Sequence, residues 1–300
     1  MINSIERIAV VGAGRLGAAL LKALTRLSQY KISAVIDINI NRAEKYARLL
    51  DASIYSSNVS DLEPVDLIFI TVPDDTIQHI ANDLAVLAQQ SKITNFVFHA
   101  SGALSSEIFD SLRKCKIETG SIHPVQAFSG LNDDDKKLSH IYFGIEGTEG
   151  AIEKMIQIVT ALNSKFLVIP GEQKKSYHLA CTLASNYVVA LIKPVVEILK
   201  KMGFSENEGK QIIFPLLINS IENIKEGSIN EALTGPIVRG DIGTIEKHIQ
   251  ILKNSFPDYE NVYKELGKIA LDFKSVRDGL PAELSGQIRQ LLNDKGEDDD

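Results

Sequence analysis

Hydrophobic and polar positions keep one rhythm over the first 170 residues and another after them. In the first part, short apolar runs at 8–11, 32–36, 67–72, 96–99, 117–122, 141–145 and 166–169 read as strands. Between them lie stretches with the 3.6-residue apolar spacing of amphipathic helices, ending near 27 and spanning 42–50, 76–87, 107–113 and 150–162. The run LIFITV at 67–72 is continuously apolar, the pattern of a strand buried on both faces of a parallel sheet. Repeated strand–helix–strand units predict right-handed crossovers and a doubly wound sheet.

After Pro170-Gly171 the strand signals stop. Helical periods continue to about 292, interrupted at Gly203, Gly227, Gly235-Pro236, Pro257 and Pro281. The expected fold is therefore α/β: a doubly wound, mostly parallel Rossmann-type sheet over 1–170, then a smaller all-α domain over 171–294. Residues 295–300 read as a disordered acidic tail. The longest apolar segment, 179–199, contains Asn186, Lys193 and Pro194, and reads as a buried helix and not a membrane span.

The first strand runs into Gly12-Ala13-Gly14-Arg15-Leu16-Gly17, which then opens a helix. In that context Gly12 permits the tight turn, Gly14 lets backbone approach a pyrophosphate, and Gly17 lets the helix pack on the sheet. The helix's first amides and its positive end would meet the phosphate charge. Asp37 closes the second strand and can accept hydrogen bonds from both ribose hydroxyls while repelling a 2′-phosphate. Arg42, just beyond, could instead pair with such a phosphate. The expected cofactor is NAD, with NADP possible.

Ligands of open parallel sheets sit outside the carboxyl ends of the strands. Val72-Pro73-Asp74-Asp75 ends one strand, where Val72 and Pro73 would border the dinucleotide and the aspartates would cap the next helix. The next two strands end in His99-Ala100-Ser101-Gly102 and His123-Pro124-Val125-Gln126. Histidine titrates near neutral pH and suits proton transfer during hydride transfer. His99 is read as a cofactor contact, His123 as a catalytic residue and Ser101 as a substrate contact.

In the second half, His178, Thr182, Ser185 and Asn186 fall on one stripe of a long helix, which either bonds a neighbouring helix or lines a cleft. In Gly235-Pro236-Ile237-Val238-Arg239-Gly240-Asp241 the turn residues and a helix cap at Asp241 explain themselves. Arg239 has no such duty and could clamp a substrate carboxylate or phosphate.

Composition narrows the classes. A formal charge of −7 excludes a dense basic surface and so a general nucleic-acid binder. Two distant cysteines, Cys115 and Cys181, follow no metal spacing and suggest a reducing compartment. No metal site is expected. With no room for a signal peptide before the first strand, the expected location is cytoplasmic.

Taken together, GAGRLG, TVPDD, HASGALS, HPVQAF, HLACTLASN and ALTGPIVRGD, spread over roughly residues 5 to 255, make the chain resemble a family of bacterial two-domain proteins. These join a Rossmann-like module to a helical domain of unknown function numbered 2520. The resemblance implies an NAD(P)-dependent oxidoreductase, similar in plan to 6-phosphogluconate dehydrogenase, pyrroline-5-carboxylate reductase and the deazaflavin-dependent NADP reductases. It implies a homodimer formed through the helical domain. It also places an asparagine, Asn186, on the first long helix between the domains. Where the β-hydroxyacid dehydrogenases carry a catalytic lysine one turn earlier, this chain has Thr182. Lys174 and Lys175 lie further upstream, which shifts the acid–base role toward the histidines.

The sequence thus predicts a dehydrogenase or reductase moving a hydride between nicotinamide and a small, anionic or neutral carbonyl, alcohol or imine in an interdomain cleft. His123 or His178 would handle the proton, Asn186 and Ser101 would orient substrate, and Arg239 would hold an anionic group. A dinucleotide-binding sensor or scaffold without turnover, or a non-redox enzyme for another nucleotide, is the alternative.

Overall fold

The computed structural model describes residues 5–129 and 135–294; the acidic tail expected at 295–300 lies outside the described residues. The chain divides into two compact units, Met1–Asn186 and Tyr187–Asp300.

The first unit is built on the strands β1 (Glu6–Val11), β2 (Tyr30–Ile36), β3 (Ile54–Ser56), β4 (Val65–Ile70), β5 (Ile93–His99), β6 (Glu118–Pro124), β7 (Tyr142–Gly147) and β8 (Lys165–Val168). They form one sheet in the order β3-β2-β1-β4-β5-β6-β7-β8. Pairing is parallel except between β6 and β7. The helices are α1 (Arg15–Leu24), α2 (Ile40–Leu49), α3 (Asp74–Gln89), α4 (Asp110–Arg113), α5 (Glu149–Ala161) and α6 (Lys174–Thr182).

Strand alternation sorts the core into two layers. Ile8, Val10, Leu67, Phe69 and Phe98 point to the face covered by α1, α2 and α5, where Leu21, Ala43 and Met155 meet them. Ala9, Val11, Ile68, Ile70 and Val97 point to the other face, under Ile77 and Leu84 of α3 and Leu112 of α4. This is why residues 67–70 are apolar without interruption: both faces are buried. β1 has β2 on one side and β4 on the other. The direction of strand succession therefore reverses between β1 and β4, and a crevice opens at their carboxyl ends.

β3 carries little apolar signal, and the sequence pattern did not reveal it. The first unit also runs past the boundary expected at 170. α6 belongs to it because Lys174 and Tyr177 hydrogen-bond to β6.

The second unit is helical among its described residues: α7 (Val188–Lys201), α8 (Glu206–Glu226), α9 (Ile229–Ala232), α10 (Pro236–Arg239), α11 (Ile242–Ser255), α12 (Glu260–Leu271), α13 (Lys274–Gly279) and α14 (Ala282–Asn293). Its core joins Ile245 and Ile249 of α11, Leu271 of α12, Val276 of α13 and Ile288 and Leu292 of α14. The helix punctuation follows the sequence. Ser205 and Glu208 form a capping box for α8. Gly235, at φ 107°, precedes Pro236 at the start of α10, and Asp241 caps α11 by accepting from Thr244 N at 3.1 Å.

The segment expected to be a buried helix is instead exposed. α6 passes through a π-helical stretch, Leu183–Tyr187, into α7, and Leu179, Leu183 and Val189 are each more than half accessible. The helix run Gly171–Lys201, with a mean hydropathy of 1.6 over its most apolar window, is long and apolar enough to cross a membrane by length and composition.

Candidate active site

The glycine loop follows β1 as its sequence requires. Gly12 sits at φ 95°, and a Cβ there would lie 2.8 Å from Thr71 O. A Cβ on Gly17 would fall 1.9 Å from Gly12 O, so only glycine lets α1 start this close to the loop. Gly14, the cap of α1, faces open space: nothing comes nearer to an added Cβ than Arg42 Nη1 at 4.0 Å. That clearance, at the amino end of a ten-residue helix, is what an approaching pyrophosphate needs. Arg15 and Leu16 form the helix's first turn.

The loop borders a cavity of about 800 Å³ lined by Gly12, Gly14, Asp37, Arg42, Val72 and Pro73 among others. Asp37, nearly buried, accepts from Ala13 N at 2.7 Å and from Asn39 N at 2.8 Å. Its Oδ1 also lies 3.6 Å from Arg42 Nε. The carboxylate thus braces the glycine loop while lining the cavity. These residues fit a dinucleotide: an open phosphate cradle, an acid at the second strand's end and a cavity of suitable size.

Three loops at the strand ends are tied into one rim. Thr71 Oγ1 donates to Gly12 O at 2.5 Å, joining the β4 loop to the glycine loop. Ser101 Oγ donates to Asp74 Oδ2 at 2.7 Å, joining the β5 loop to the start of α3. The same Oγ accepts from Ala103 N at 3.2 Å and Leu104 N at 3.0 Å. Ser101 is buried and its hydroxyl is spent on these bonds. Its expected role as a substrate contact gives way to that of a loop brace. Asp74, expected as a cap, is its partner.

His99 also differs from expectation. The ring is fully buried against Phe109, 5.2 Å between centroids. Its Nδ1 accepts from Ser101 N at 3.2 Å, which leaves Nε2–H to donate to Ser105 O at 3.4 Å. Burial, with the nearby Lys174 charge, pushes its pKa down to about 3. Both nitrogens have partners within the protein and the ring is fully buried, so His99 is placed as a structural residue and not at the cavity expected for the cofactor. It shares a strand face with Val97, which points beneath the α3–α4 layer.

His123, half-buried, is placed differently. Its Nδ1 lies 2.8 Å from Tyr177 Oη on α6. His178, the next residue on α6, stands edge-on to it with ring centroids 6.0 Å apart. Both rings pack over Gly102, where an added Cβ would lie 2.6 Å from His178 Cδ2 and 3.0 Å from His123 Nε2. Burial, then the charges of Lys174 and His178, push His123 down to about 4. Burial and the adjacent Cys181 thiol hold the Tyr177 hydroxyl well above the ordinary phenol value. At neutral pH the group is therefore an uncharged imidazole beside an intact phenol.

The structure thus brings His123 and His178 together and adds Tyr177, which the sequence reading gave no role, and Lys174, which it set aside as too far upstream. Lys174 lies at the start of α6, yet its Nζ reaches Ser121 Oγ at 2.5 Å and Ser101 O at 3.0 Å. Asn186 is exposed on the π-helical stretch, and Arg239 is exposed on α10 of the second unit. No group of three or more potential metal ligands occurs among the described residues.

Two family matches divide the chain. Residues 6–94 match an oxidoreductase family described by its NAD-binding Rossmann fold, and residues 141–269 match a domain of unknown function (DUF2520). A solved structure from Thermotoga maritima is 29% identical and superimposes with a TM-score of 0.68 over 90% of this chain and 99% of that one. Two others share the fold at lower identity. The Plasmodium falciparum pyrroline carboxylate reductase with NADP bound is 14% identical, with a TM-score of 0.59 over 96% of this chain and 98% of that one. The prephenate dehydrogenase of A. aeolicus, in complex with hydroxyphenyl propionate and NAD+, is 15% identical, with a TM-score of 0.54 over 90% and 98%. Among curated proteins, none matches the chain.

Proposed function

We propose that this chain, which couples an NAD(P)-binding Rossmann domain of oxidoreductase type to a DUF2520 domain, reduces or oxidises a small carbonyl, alcohol or imine substrate over the His123–His178 pair. The observation that carries this reading is the pair itself, two rings packed over Gly102 with their centroids 6.0 Å apart. Gly12, Ala13, Gly14 and the first turn of α1 hold the cofactor's phosphates, and Asp37 and Arg42 face its adenosine ribose. The bound nicotinamide supplies or accepts the hydride.

In this reading Tyr177 donates to His123 Nδ1, which places the ring's hydrogen on Nε2, the nitrogen that faces Gly102. An uncharged imidazole cannot spare a proton outright, but it can hydrogen-bond to a carbonyl oxygen and stabilise the charge that develops there. His178 then gives its proton to that oxygen in reduction, or receives one from the alcohol in oxidation. Nothing else need be consumed: one proton leaves His178 for each hydride delivered to carbon.

The adenosine end supports NAD, with NADP admitted. Asp37 is spent on Ala13 and Asn39 and partly offset by Arg42, so its repulsion of a 2′-phosphate is reduced.

The exposed apolar helices support a homodimer. α7 and α8 leave Val189, Leu216, Ile218 and Ile221 each more than half accessible, more apolar surface than a monomer ordinarily leaves to water. A membrane location suits the segment less well, because Lys174 and Tyr177 at its amino end are bonded to the ends of β5 and β6. A monomer in sedimentation at micromolar concentration would contradict the dimer.

The functional test is cofactor oxidation across keto acids, aldehydes and cyclic imines by the wild type and by His123→Ala and His178→Ala. Each variant should lose about 10²- to 10⁴-fold in turnover, the usual span for general acid–base groups. Undiminished turnover in both would remove the histidines from the chemistry.

A further inference from the structure

Lys174 is a buried cation that the proposed chemistry does not use. Its side chain is inaccessible to solvent, and the hydrogen-bond partners of its ammonium are neutral oxygens: Ser101 O at 3.0 Å and Ser121 Oγ at 2.5 Å. Ser121 Oγ in turn donates to Ser101 O at 2.9 Å, closing a triangle across the ends of β5 and β6. Glu146 and Asp74 act on the ammonium through their charge. Burying an ammonium without a directly bonded carboxylate costs stability, and an apolar side chain of similar volume would usually be the more stable choice. A contribution to stability therefore does not account for Lys174.

The register shows what does. Ser121 and His123 are two apart on β6 and share a face, whereas Lys174, Tyr177 and His178 are spaced i, i+3 and i+4 on α6 and form one stripe. Helix and strand meet residue by residue: Lys174 on Ser121, Tyr177 on His123.

We propose that Lys174 is a positioning residue of this site, its buried ammonium fixing the end of β6 and adding a positive charge to the buried surroundings of the His123 ring. The proposal rests on the reading of His123 as an uncharged hydrogen-bond donor. Around that ring, α6 contributes Lys174, Tyr177, His178 and Cys181. β5 contributes His99, paired with Ser121, and β7 contributes Glu146, opposite Ser121. Asp74 reaches the cluster through Ser101. Burial first, and then the Lys174 charge, push both histidines well below the ordinary histidine value. An imidazolium forming at His123 would add a second positive charge to the same pocket.

The test is a ¹⁵N-histidine ring titration of the full chain by NMR, in wild type, Lys174→Gln and Lys174→Arg. Gln keeps hydrogen-bond donors and removes the charge; Arg keeps the charge. In the wild type His123 should stay neutral down to about pH 5, well under the ordinary value near 6.5. Lys174→Gln should raise its midpoint, a several-fold gain in proton affinity, while burial still holds it below about 6.5, and Lys174→Arg should leave it low. A folded Lys174→Gln protein with the wild-type midpoint overturns the proposal. If that variant does not fold, the arginine variant decides, and a midpoint near 6.5 in it is equally contrary. Because the titration needs no turnover, it stands apart from the functional reading. Full activity in His123→Ala would end that reading without moving the Lys174 result.

Discussion

Tyr177 Oη lies 2.8 Å from His123 Nδ1, and this bond orients the ring. When the phenol is the donor, the hydrogen of the neutral ring sits on Nε2, the nitrogen that faces Gly102. Tyr177→Phe keeps the ring's packing partner, 5.6 Å between centroids, and removes only the bond. It should lower kcat by about 10- to 100-fold, equivalent to losing a buried hydrogen bond of roughly 1.5–3 kcal/mol. Cofactor affinity should be unchanged. Steady-state kinetics with either cofactor checks this, and an unaltered kcat would show that the bond does not orient the reacting group.

Gly17 offers the sharpest test of the cofactor loop. A methyl group there would overlap Gly12 O at 1.9 Å, so loop or helix must shift. Gly17→Ala should destabilise the fold by about 1–3 kcal/mol, the range for overpacking, and weaken NADH and NADPH alike by at least about tenfold. Thermal denaturation and fluorescence titration measure the two effects. Wild-type affinity for both cofactors would place the dinucleotide elsewhere.

Arg42 and Asp37 should separate the cofactors. Removing the guanidinium in Arg42→Ala takes away a charge-assisted partner for a 2′-phosphate, and NADPH should weaken about tenfold with NADH little changed. Asp37→Ala removes the acceptor that holds Ala13 N, so both cofactors should weaken. Equal losses of NADH and NADPH in Arg42→Ala would mean that the arginine serves only to neutralise Asp37.

The buried histidines also set a pH dependence of stability. His99 at about 3 and His123 at about 4 both lie below the ordinary value of 6.5. As pH falls from about 6.5 to 4, the unfolded chain therefore takes up protons that the folded one refuses, and stability drops at up to about 1.4 kcal/mol per pH unit for each histidine. Lys174, pushed down to about 8 by burial, acts in the alkaline range. Between about pH 8 and 10.5 the unfolded chain again holds the extra proton, so the stability cost of burying the Lys174 ammonium shrinks as pH rises. Urea denaturation from pH 4 to 7 should show the acid loss, and a smaller slope in His99→Asn. A flat profile in the wild type would mean that the rings are not buried neutral.

Much of this was legible in the sequence where local pattern and global fold coincide. The two-sided burial of β4 produces an uninterrupted apolar run, and the steric demands at Gly12 and Gly17 leave no residue but glycine. The misreadings came from side-chain direction. A histidine at a strand end can face the ligand or the core, and His99, sharing a face with Val97, takes the core. Tyr177 was missed, and Lys174 set aside, because their partners lie 54 and 53 residues away and carry no local signal. The 179–199 helix was misread as buried because an apolar sequence does not say what covers it.

The central claim is that the dinucleotide cradle and the His123–His178 pair form one site. The most direct measurement is the response of the histidine ring resonances to added NADH or NADPH, with His248 of the second unit as an internal control. Cofactor should shift His123 and His178 and leave His248 unmoved. Saturable binding that leaves His123 and His178 unmoved would contradict the account.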